Sequence, residues 1–197
     1  MTDVYISADY LRAAMICASI EKGRYYFNGV YVDAAGFIVS TDGHRAFIGR
    51  FDPCEAGDGS QRPAPASFGG YIIPLAVLKR VLTGNKARLI AVSGGEIDGQ
   101  RYEPIDETFP NWRRIVPAAY PSGEAAQFNP DYLGDMGKIG ALVAGGGKGS
   151  LRAHLHHNGP ANPVGVTFPN CNDAFAVLMP LRSDNDSAVW YNIRAMV

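Results

Sequence analysis

The stretch Thr41-Asp42-Gly43-His44-Arg45 lies between two runs of β-branched, aromatic and other apolar residues, 37–41 and 46–51. An Asp-Gly pair between two such runs is a strong signal for a tight β-hairpin turn. The stretch therefore predicts two antiparallel strands that meet at a turn carrying polar and basic side chains. Because Asp-Gly suits a hairpin turn for backbone reasons alone, this stretch by itself does not predict a binding site.

An amphipathic helix is predicted before this hairpin. Ser7 is a candidate N-cap, and Asp9 falls in the first turn, where a negative charge is favourable. Apolar residues recur at the i, i+3, i+4, i+7 spacing of one helix face, and Gly23 is expected to end the helix. A strand over 4–6 precedes the helix and another over 25–32 follows it. The residues of the apolar face are Leu11, Ala14, Met15 and Ala18.

The order of a strand, a helix and further strands occurs three times along the chain, and we call each copy a module. The second module is predicted to begin with a strand at 71–73 and the third with a strand at 125–128. Their helices begin at Pro74 and at Asn129-Pro130, since proline suits the first helical position and asparagine the cap. The later strands are expected at 87–92 and 96–101 in the second module, and at 151–156, 164–168 and 174–179 in the third.

Three repeated strand–helix–three-strand modules predict an α+β fold with antiparallel sheets and with the helices on one side. The expected boundaries are 1–117 for a domain of two modules with a loop at 52–70, 118–182 for the third module as a half domain, and 183–197 for a C-terminal extension. The aromatic residues Trp190 and Tyr191 would allow the extension to cover a surface of the protein or to enlarge an interface. Periodicity alone does not specify how the modules pair.

Composition narrows the class of protein. The chain has 197 residues and a formal net charge of −1, so any DNA binding must come from a local basic face and not from the charge of the whole chain. The cysteines, Cys17, Cys54 and Cys171, are odd in number and far apart, which favours free thiols in a reducing compartment. No signal peptide and no membrane-length apolar stretch is evident, so the expected location is the cytoplasm.

Three sequence patterns resemble parts of a metal site, a phosphate-binding loop and a catalytic site, and each lacks a required residue. His154 and His156 share a strand face, with His157 beside them, but no third metal ligand accompanies them. The glycine-rich stretch 145–150 lacks the first glycine of a phosphate-binding loop, and its lysine is followed by glycine. His44 and Asp42 have no accompanying nucleophile. The sequence therefore predicts no catalytic residue, no metal site and no cofactor.

Four strings fall at predicted element boundaries: Arg24-Tyr25-Tyr26-Phe27-Asn28-Gly29, Phe109-Pro110-Asn111-Trp112-Arg113-Arg114, Phe128-Asn129-Pro130-Asp131-Tyr132 and Leu178-Met179-Pro180-Leu181-Arg182. With the 41–45 turn, their order and spacing resemble the bacterial DNA polymerase III beta sliding clamp family. Residues 1–117 resemble the middle domain of a clamp, and 124–182 resemble the second half of its last domain.

The departures from the family are also informative. Counterparts of the first clamp domain and of the first half of the last domain are absent from this sequence. The chain continues for fifteen residues after Arg182, and Ala46 stands where the family has leucine after His-Arg. The resemblance is therefore to a reduced clamp with a DNA-clamp-like α+β fold and three modules instead of six.

The resemblance implies a processivity factor that encircles duplex DNA and tethers a DNA polymerase, with clamp-loader peptides as further partners. The implied peptide-binding groove comprises Thr41, Gly43, His44, Arg45, Pro110, Arg114, Asn129, Tyr132, Val177, Met179, Pro180 and Arg182. The implied DNA-facing cations, which would contact phosphates without reading bases, are Arg12, Lys22, Arg24, Lys79, Arg80 and Lys138. The presence of each cation, taken singly, is also explained by an ordinary solvent-exposed helix surface. The presence of Asn129 is also explained by a role as a helix N-cap.

Three hypotheses follow for the role of the chain. The leading one is a reduced sliding clamp of a phage or other mobile element that forms a homo-oligomer, in which four chains supply the twelve modules of a ring. The second is a non-encircling adaptor or decoy that binds the clamp-binding motifs of replication proteins. The third is a metal-dependent enzyme that uses His154 and His156.

Overall fold

The computed structural model describes residues 4–51, 70–84, 88–117, 124–144 and 152–181. The predicted loop at 52–70, except for its last residue, lies outside these ranges, as do the glycine-rich stretch 145–150, Arg182 and the extension at 183–197. The helices are α1 (Ala8–Cys17), α2 (Leu75–Val81) and α3 (Pro130–Val143). The strands are β1 (Val4–Ser7), β2 (Gly29–Asp33), β3 (Phe37–Thr41), β4 (Arg45–Arg50), β5 (Tyr71–Pro74), β6 (Leu89–Ser93), β7 (Glu96–Ile97), β8 (Gln100–Arg101), β9 (His154–His156), β10 (Val164–Phe168) and β11 (Cys171–Leu178).

The first two modules exchange their opening strands. β1 of the first module runs antiparallel to β6 of the second, with Ile6 opposite Ile90. In return, β5 of the second module runs antiparallel to β2 of the first, with Ile73 opposite Val30. Each opening strand therefore completes the sheet of the other module.

The third module joins the first through its last strand. β11 pairs antiparallel with β4, so that Val177 lies opposite Ala46. The result is a seven-stranded sheet in the order β5-β2-β3-β4-β11-β10-β9, beside a four-stranded sheet in the order β1-β6-β7-β8. This α+β architecture, with antiparallel sheets, confirms the predicted fold class.

The seven-stranded sheet has two differently covered faces, because side chains alternate along each strand. The helices cover one face, where Leu11, Phe47 and Ile139 belong to the main hydrophobic core. The opposite face carries a smaller apolar cluster that includes Val39, Ile48, Phe109 and Trp112. A binding site on that second face is therefore separated from the helices by the sheet.

Two predicted boundaries in the first module are wrong. α1 ends at Cys17 and not near Gly23, because Ala18 adopts an extended backbone with ψ of 142°. The amide of Ser19 then donates to the carbonyl of Phe27, at 2.8 Å. This non-local hydrogen bond draws 25–27 into a 3₁₀ turn, so the strand predicted from residue 25 begins only at Gly29.

Three later predictions also need correction. The strand predicted over 96–101 is a two-stranded hairpin, because Asp98 and Gly99 take positive φ values of 52° and 77°. Pro74 is the N-cap of α2 and not its first helical residue. Within the described ranges no strand is assigned at 125–128, where Gln127 forms an isolated bridge with Leu181.

Candidate peptide-binding groove

The turn at 41–45 is held by its own side chains. The Thr41 hydroxyl accepts a hydrogen bond from the amide of Gly43 at 3.0 Å and donates to the carbonyl of Arg45 at 2.7 Å. One carboxylate oxygen of Asp42 accepts from the amides of His44 and Arg45, at 2.9 and 3.0 Å. Gly43 has a φ of +92°, a conformation that L residues rarely adopt. The turn is therefore a rigid border for whatever lies beside it.

A pocket of about 120 Å³ opens beside this turn, on the sheet face opposite the helices. It straddles the pairing of β4 with β11 and so lies where the first and third modules meet. Apolar side chains form most of its wall. We call this pocket the apolar groove, and its lining residues are Phe27, Val39, Thr41, Gly43, Arg45, Ala46, Phe109, Pro110, Asn111, Trp112, Ile115, Val177 and Met179.

One wall of the apolar groove is the segment 109–115, which is anchored by aromatic packing. The ring of Phe109 stacks on Tyr31, with centroids 4.8 Å apart and 4° between the planes. It also meets the ring of Phe27 edge-on, at 6.2 Å. Such pairs add stability beyond the area they bury, so this wall is preformed.

Asp33 ties the same wall to the sheet. Its carboxylate accepts hydrogen bonds from the indole N–H of Trp112 and from the guanidinium of Arg113, both at 2.9 Å. The amide of Ala35 donates to the other oxygen at 2.8 Å. Burial by itself raises the pKa of Asp33, but the three hydrogen bonds and the Arg113 charge outweigh it and lower the pKa. The carboxylate is therefore ionised wherever the protein is folded near neutral pH.

We expect Asp33→Asn to lower the free energy of unfolding by about 2–3 kcal/mol at pH 7, because hydrogen bonds to a charged group are weakened and the buried indole N–H loses its best acceptor. The lowered pKa means that Asp33 contributes stability above its unfolded pKa and loses it as the pH falls through the folded pKa. Urea unfolding at pH 7 and at pH 3 is the measurement. A deficit that stays the same size in acid would contradict this role for the carboxylate.

Arg45 links the first and third modules at the border of the apolar groove. Its guanidinium binds Asp42 in its own turn at 3.0 Å and Asp135 of α3, and it lies 4.6 Å above the ring centre of Tyr132. The side chains of Arg45 and Asp135 are only 13% and 14% exposed. Burial by itself raises the pKa of Asp135, but hydrogen bonds from Lys138 and Arg45 outweigh it and lower the pKa.

The structure brings half of the predicted groove residues into one pocket. Thr41, Gly43, Arg45, Pro110, Val177 and Met179 all line the apolar groove. His44 and Tyr132 instead face each other, with ring centres 6.0 Å apart, in an adjoining polar pocket that also contains Arg45 and Lys79.

The other predicted groove residues are Asn129, Arg114, Pro180 and Arg182. Asn129 caps α3 by accepting from the amide of Asp131 at 2.9 Å, which is the structural role that the sequence also allowed. Arg114 and Pro180 are absent from the lining of the apolar groove. Arg182 lies outside the described residues.

Several lining residues were not among the predicted site residues. Val39 precedes Thr41 by two positions, so strand alternation places both on one face, and this signal was available in the sequence. Phe109 and Trp112 belong to the same string as Pro110. Phe27 reaches the groove only because of the 3₁₀ turn, which the local sequence pattern did not reveal.

Four of the six predicted DNA-facing cations, Arg12, Lys79, Arg80 and Lys138, lie in helices, and several already have partners. Arg12 binds Asp9 at 2.7 Å and donates to the carbonyl of Gly84 at 2.9 Å. Arg80 donates to Gln100 at 3.0 Å, and Lys138 binds Asp135 at 2.6 Å. Lys79 lines the polar pocket, and Lys22 precedes the 3₁₀ turn. The guanidinium of Arg24 lies beside Gly43, at the border of the apolar groove and not on a helix. The arrangement offers scattered positive charges rather than one dense patch.

Neither protein-family models nor curated proteins match this sequence. Solved structures, in contrast, match the fold of this chain. A DNA polymerase III beta subunit from Caulobacter crescentus superposes with a TM-score of 0.65 at 18% identity, covering 93% of this chain and 67% of that one. The chain has the sliding-clamp fold.

Other solved structures with the sliding-clamp fold agree. A clamp from Bartonella birtlesii bound to griselimycin matches with a TM-score of 0.62 at 19% identity, covering 92% of this chain and 66% of that one. A clamp from Bacillus subtilis matches with a TM-score of 0.63 at 14% identity, covering 92% and 64%. This chain therefore spans about two thirds of the length of these structures.

Membrane-spanning helices and metal sites are two further features to consider in the described ranges. No helix there has the length and apolar character that crossing a membrane requires. Within the same ranges, no group of three or more histidine, cysteine, aspartate or glutamate residues is placed to hold a metal ion. His156 has a local partner, since its Nε2 lies 2.8 Å from the Thr167 hydroxyl.

Proposed function

We propose that this protein is a sliding-clamp-like processivity factor that acts by binding and not by catalysis. It assembles as a homo-oligomer around duplex DNA and tethers a DNA polymerase through a short peptide. The observation that carries the proposal is the apolar groove, which lies within one chain and on the sheet face opposite the helices. The sliding-clamp fold supports it.

The chemistry of the apolar groove suits an extended peptide with large apolar side chains. Its walls are aromatic and aliphatic, and Met179, at 36% exposure, offers adaptable apolar surface at the rim. A few fixed polar groups at the 41–45 turn border it, which is the usual composition of a specific site. Because Phe109, Trp112 and the turn are already held in place, little ordering is required when a peptide binds.

The helix face suits loose contact with DNA. Cations such as Lys79 and Arg80 would attract phosphates regardless of sequence, and their small number favours sliding over tight binding. With the groove on the opposite face of the sheet, DNA and a tethered protein would not compete for the same surface. Four chains would supply the twelve modules expected of a ring.

The proposal is tested by titrating the full chain with an acetylated hexapeptide that contains a Leu-Phe pair, followed by calorimetry. We expect saturable binding with one site per chain, and no binding by a peptide in which Ser replaces Leu and Phe. Griselimycin, which is bound to the Bartonella birtlesii clamp, is a second probe and should compete with the peptide. Failure of both probes to bind would contradict a peptide-tethering role.

The DNA contact is tested separately by reversing two helix charges, Lys79→Glu and Arg80→Glu. We expect this double variant to lose at least tenfold in affinity for duplex DNA at low salt, because each lost cation removes a phosphate contact and adds repulsion. Peptide affinity should remain unchanged. Electrophoretic mobility shift with a 40-base-pair duplex measures the effect, and Arg114→Glu, which is exposed and outside the lining of the apolar groove, is the control.

A second candidate function is a non-encircling adaptor or decoy that keeps the groove but does not hold DNA. The scattered and partly paired cations favour it, since Arg12, Arg80 and Lys138 already contact groups within the chain. This candidate predicts full peptide affinity together with no retention on circular DNA.

A further inference from the structure

The guanidinium of Arg24 lies at the border of the apolar groove. Its Nη1 is 3.0 Å from the position that a Cβ on Gly43 would occupy, and the ring of Phe27 comes within 3.9 Å of the same position. Gly43 and Phe27 both line the groove, whereas Arg24 is exposed and is not part of the lining. A positive charge therefore stands beside the groove, within reach of a ligand that occupies it.

The 3₁₀ turn fixes the place of Arg24. The amide of Phe27 donates to the carbonyl of Arg24 at 2.9 Å, and a hydrogen bond of this kind holds residues i and i+3 close together. The carbonyl of Phe27 accepts in turn from the amide of Ser19 at 2.8 Å, which binds the turn to the segment after α1. Phe27 belongs to the apolar cluster on the sheet face opposite the helices, so the turn holds Arg24 beside that face.

Gly43 leaves the space that the guanidinium occupies. A separation of 3.0 Å between a Cβ and Nη1 is tighter than ordinary van der Waals contact, so a side chain at this position would move the guanidinium away. The same glycine has the positive φ that the turn requires. One residue therefore shapes the turn and makes room for a charge at the groove border.

Two other arginines near the apolar groove already have carboxylate partners. Arg45, in the lining, binds Asp42 and Asp135. Arg113, beside the lining residue Trp112, binds Asp33 at 2.9 Å. Their charges are balanced within the chain, so they add little attraction for an anionic ligand.

Arg24 differs from these two arginines. Among the residues that the structure describes, no carboxylate lies within ion-pair distance of its guanidinium. The carboxylate of Asp42, one residue from Gly43, is committed to Arg45 and to two amides of its own turn. A guanidinium offers a planar fork of N–H donors that matches a carboxylate. The unbalanced charge of Arg24 therefore suits an anionic group on the ligand of the groove.

We propose that Arg24 binds a carboxylate next to the apolar residues of the peptide in the groove. The partner is then a short acidic segment in which Asp or Glu adjoins a large apolar side chain. This inference rests on the proposed peptide-binding function and deepens it, since the apolar groove supplies affinity while Arg24 determines specificity. It also moves Arg24 from the predicted DNA-facing cations to the peptide site.

The expected gain from this contact is modest. Arg24 is exposed, so water and salt screen its charge, but a bidentate contact with a carboxylate is stronger than an ordinary surface ion pair. We expect a peptide with Asp at the right position to bind about five- to tenfold more tightly than the same peptide with Asn. Most of this advantage should disappear at high salt.

The test is a cycle of two proteins and paired peptides, measured by calorimetry at low salt. The peptides are acetylated and amidated hexapeptides with a Leu-Phe pair, which carry Asp or Asn directly before Leu or directly after Phe. The proteins are the full chain and Arg24→Met, whose side chain keeps much of the apolar stem. We expect the parent to prefer Asp at one of the two positions and Arg24→Met to show no preference, with the Asn peptides bound equally by both proteins.

Two further variants separate the charge from its geometry. Lys22→Met removes a positive charge two positions earlier in the same exposed segment, so it is the matched control and should keep the full preference for Asp. Arg24→Lys keeps the charge but not the planar fork, so it should keep only part of the preference. Circular dichroism verifies that each variant is folded.

Different results would overturn different claims. Equal binding of Asp and Asn peptides by the parent chain, or a preference for Asp that survives in Arg24→Met, would overturn the role of Arg24. If Arg24→Met weakens duplex DNA binding and leaves the preference for Asp intact, then Arg24 faces DNA instead. Failure of every peptide to bind would contradict the apolar groove as a peptide site, and this inference would fall with the proposed function.

Discussion

Arg45→Met lowers the free energy of unfolding by about 3 kcal/mol, since breaking a largely buried ion pair leaves the partner charge uncompensated. Arg45 is the residue that joins the 41–45 turn to Asp135 of α3 and to the ring of Tyr132. Methionine keeps much of the apolar stem, so the loss reports the guanidinium and not the packing. Urea unfolding of the two proteins at pH 7 gives the difference.

The matched control for this prediction is Lys138→Met, which removes the other cation bound to Asp135. The Lys138 side chain is 70% exposed, so its ion pair contributes no more than about 1 kcal/mol. A double-mutant cycle with Asp135→Asn isolates the interaction of Arg45 with that carboxylate. An equal loss from both lysine and arginine variants would show that Arg45 does not hold the third module to the first.

Met179→Ala weakens binding of the Leu-Phe hexapeptide by about 10- to 100-fold, which corresponds to the roughly 1.5–3 kcal/mol that burial of a large apolar side chain contributes. Met179 lies at the rim of the apolar groove, directly after β11. Its amide donates to the carbonyl of His44 at 2.8 Å, an interaction that alanine preserves. Calorimetric titration of both proteins with the same peptide measures the change.

The control for Met179→Ala removes a similar apolar side chain at a distance from the groove. Leu89 of β6 is 46% exposed and is not part of the groove lining, so Leu89→Ala should bind the peptide as the parent does. Tyr132→Ala separates the two pockets, since Tyr132 lines only the polar one. Parent-like peptide affinity in Met179→Ala would place the peptide somewhere other than the apolar groove.

The elements that the sequence predicted well are those fixed by neighbouring residues. The 41–45 turn is held by Thr41 and Asp42 within five residues, and the Asn129 cap binds an amide two positions away. Where a distant contact decides the backbone, the prediction failed. α1 stops at Cys17 because Ser19 bonds to Phe27, and nothing near Cys17 signals this.

The apolar groove also combines features that neighbouring residues predict with features that depend on distant contacts. Strand alternation could place Thr41 with Val39, and the 109–114 string contains Pro110 beside two other lining residues. The pairing of β4 with β11, which brings Val177 to Ala46 and creates the pocket, joins residues far apart in the chain. Periodicity does not encode such pairings, so only the resemblance to clamps grouped these residues beforehand.

Retention on circular DNA tests the central claim most directly. Chains diluted to nanomolar concentration are mixed with a nicked plasmid circle, concentrated so that they assemble on it, and then challenged with 1 M NaCl before and after the circle is cut once. High salt removes simple electrostatic binding but not a topological link. We expect protein that stays on the circle in high salt and leaves as soon as the DNA is linear. Equal loss from circular and linear DNA, from chains that bind the hexapeptide normally, would contradict encirclement and favour the adaptor.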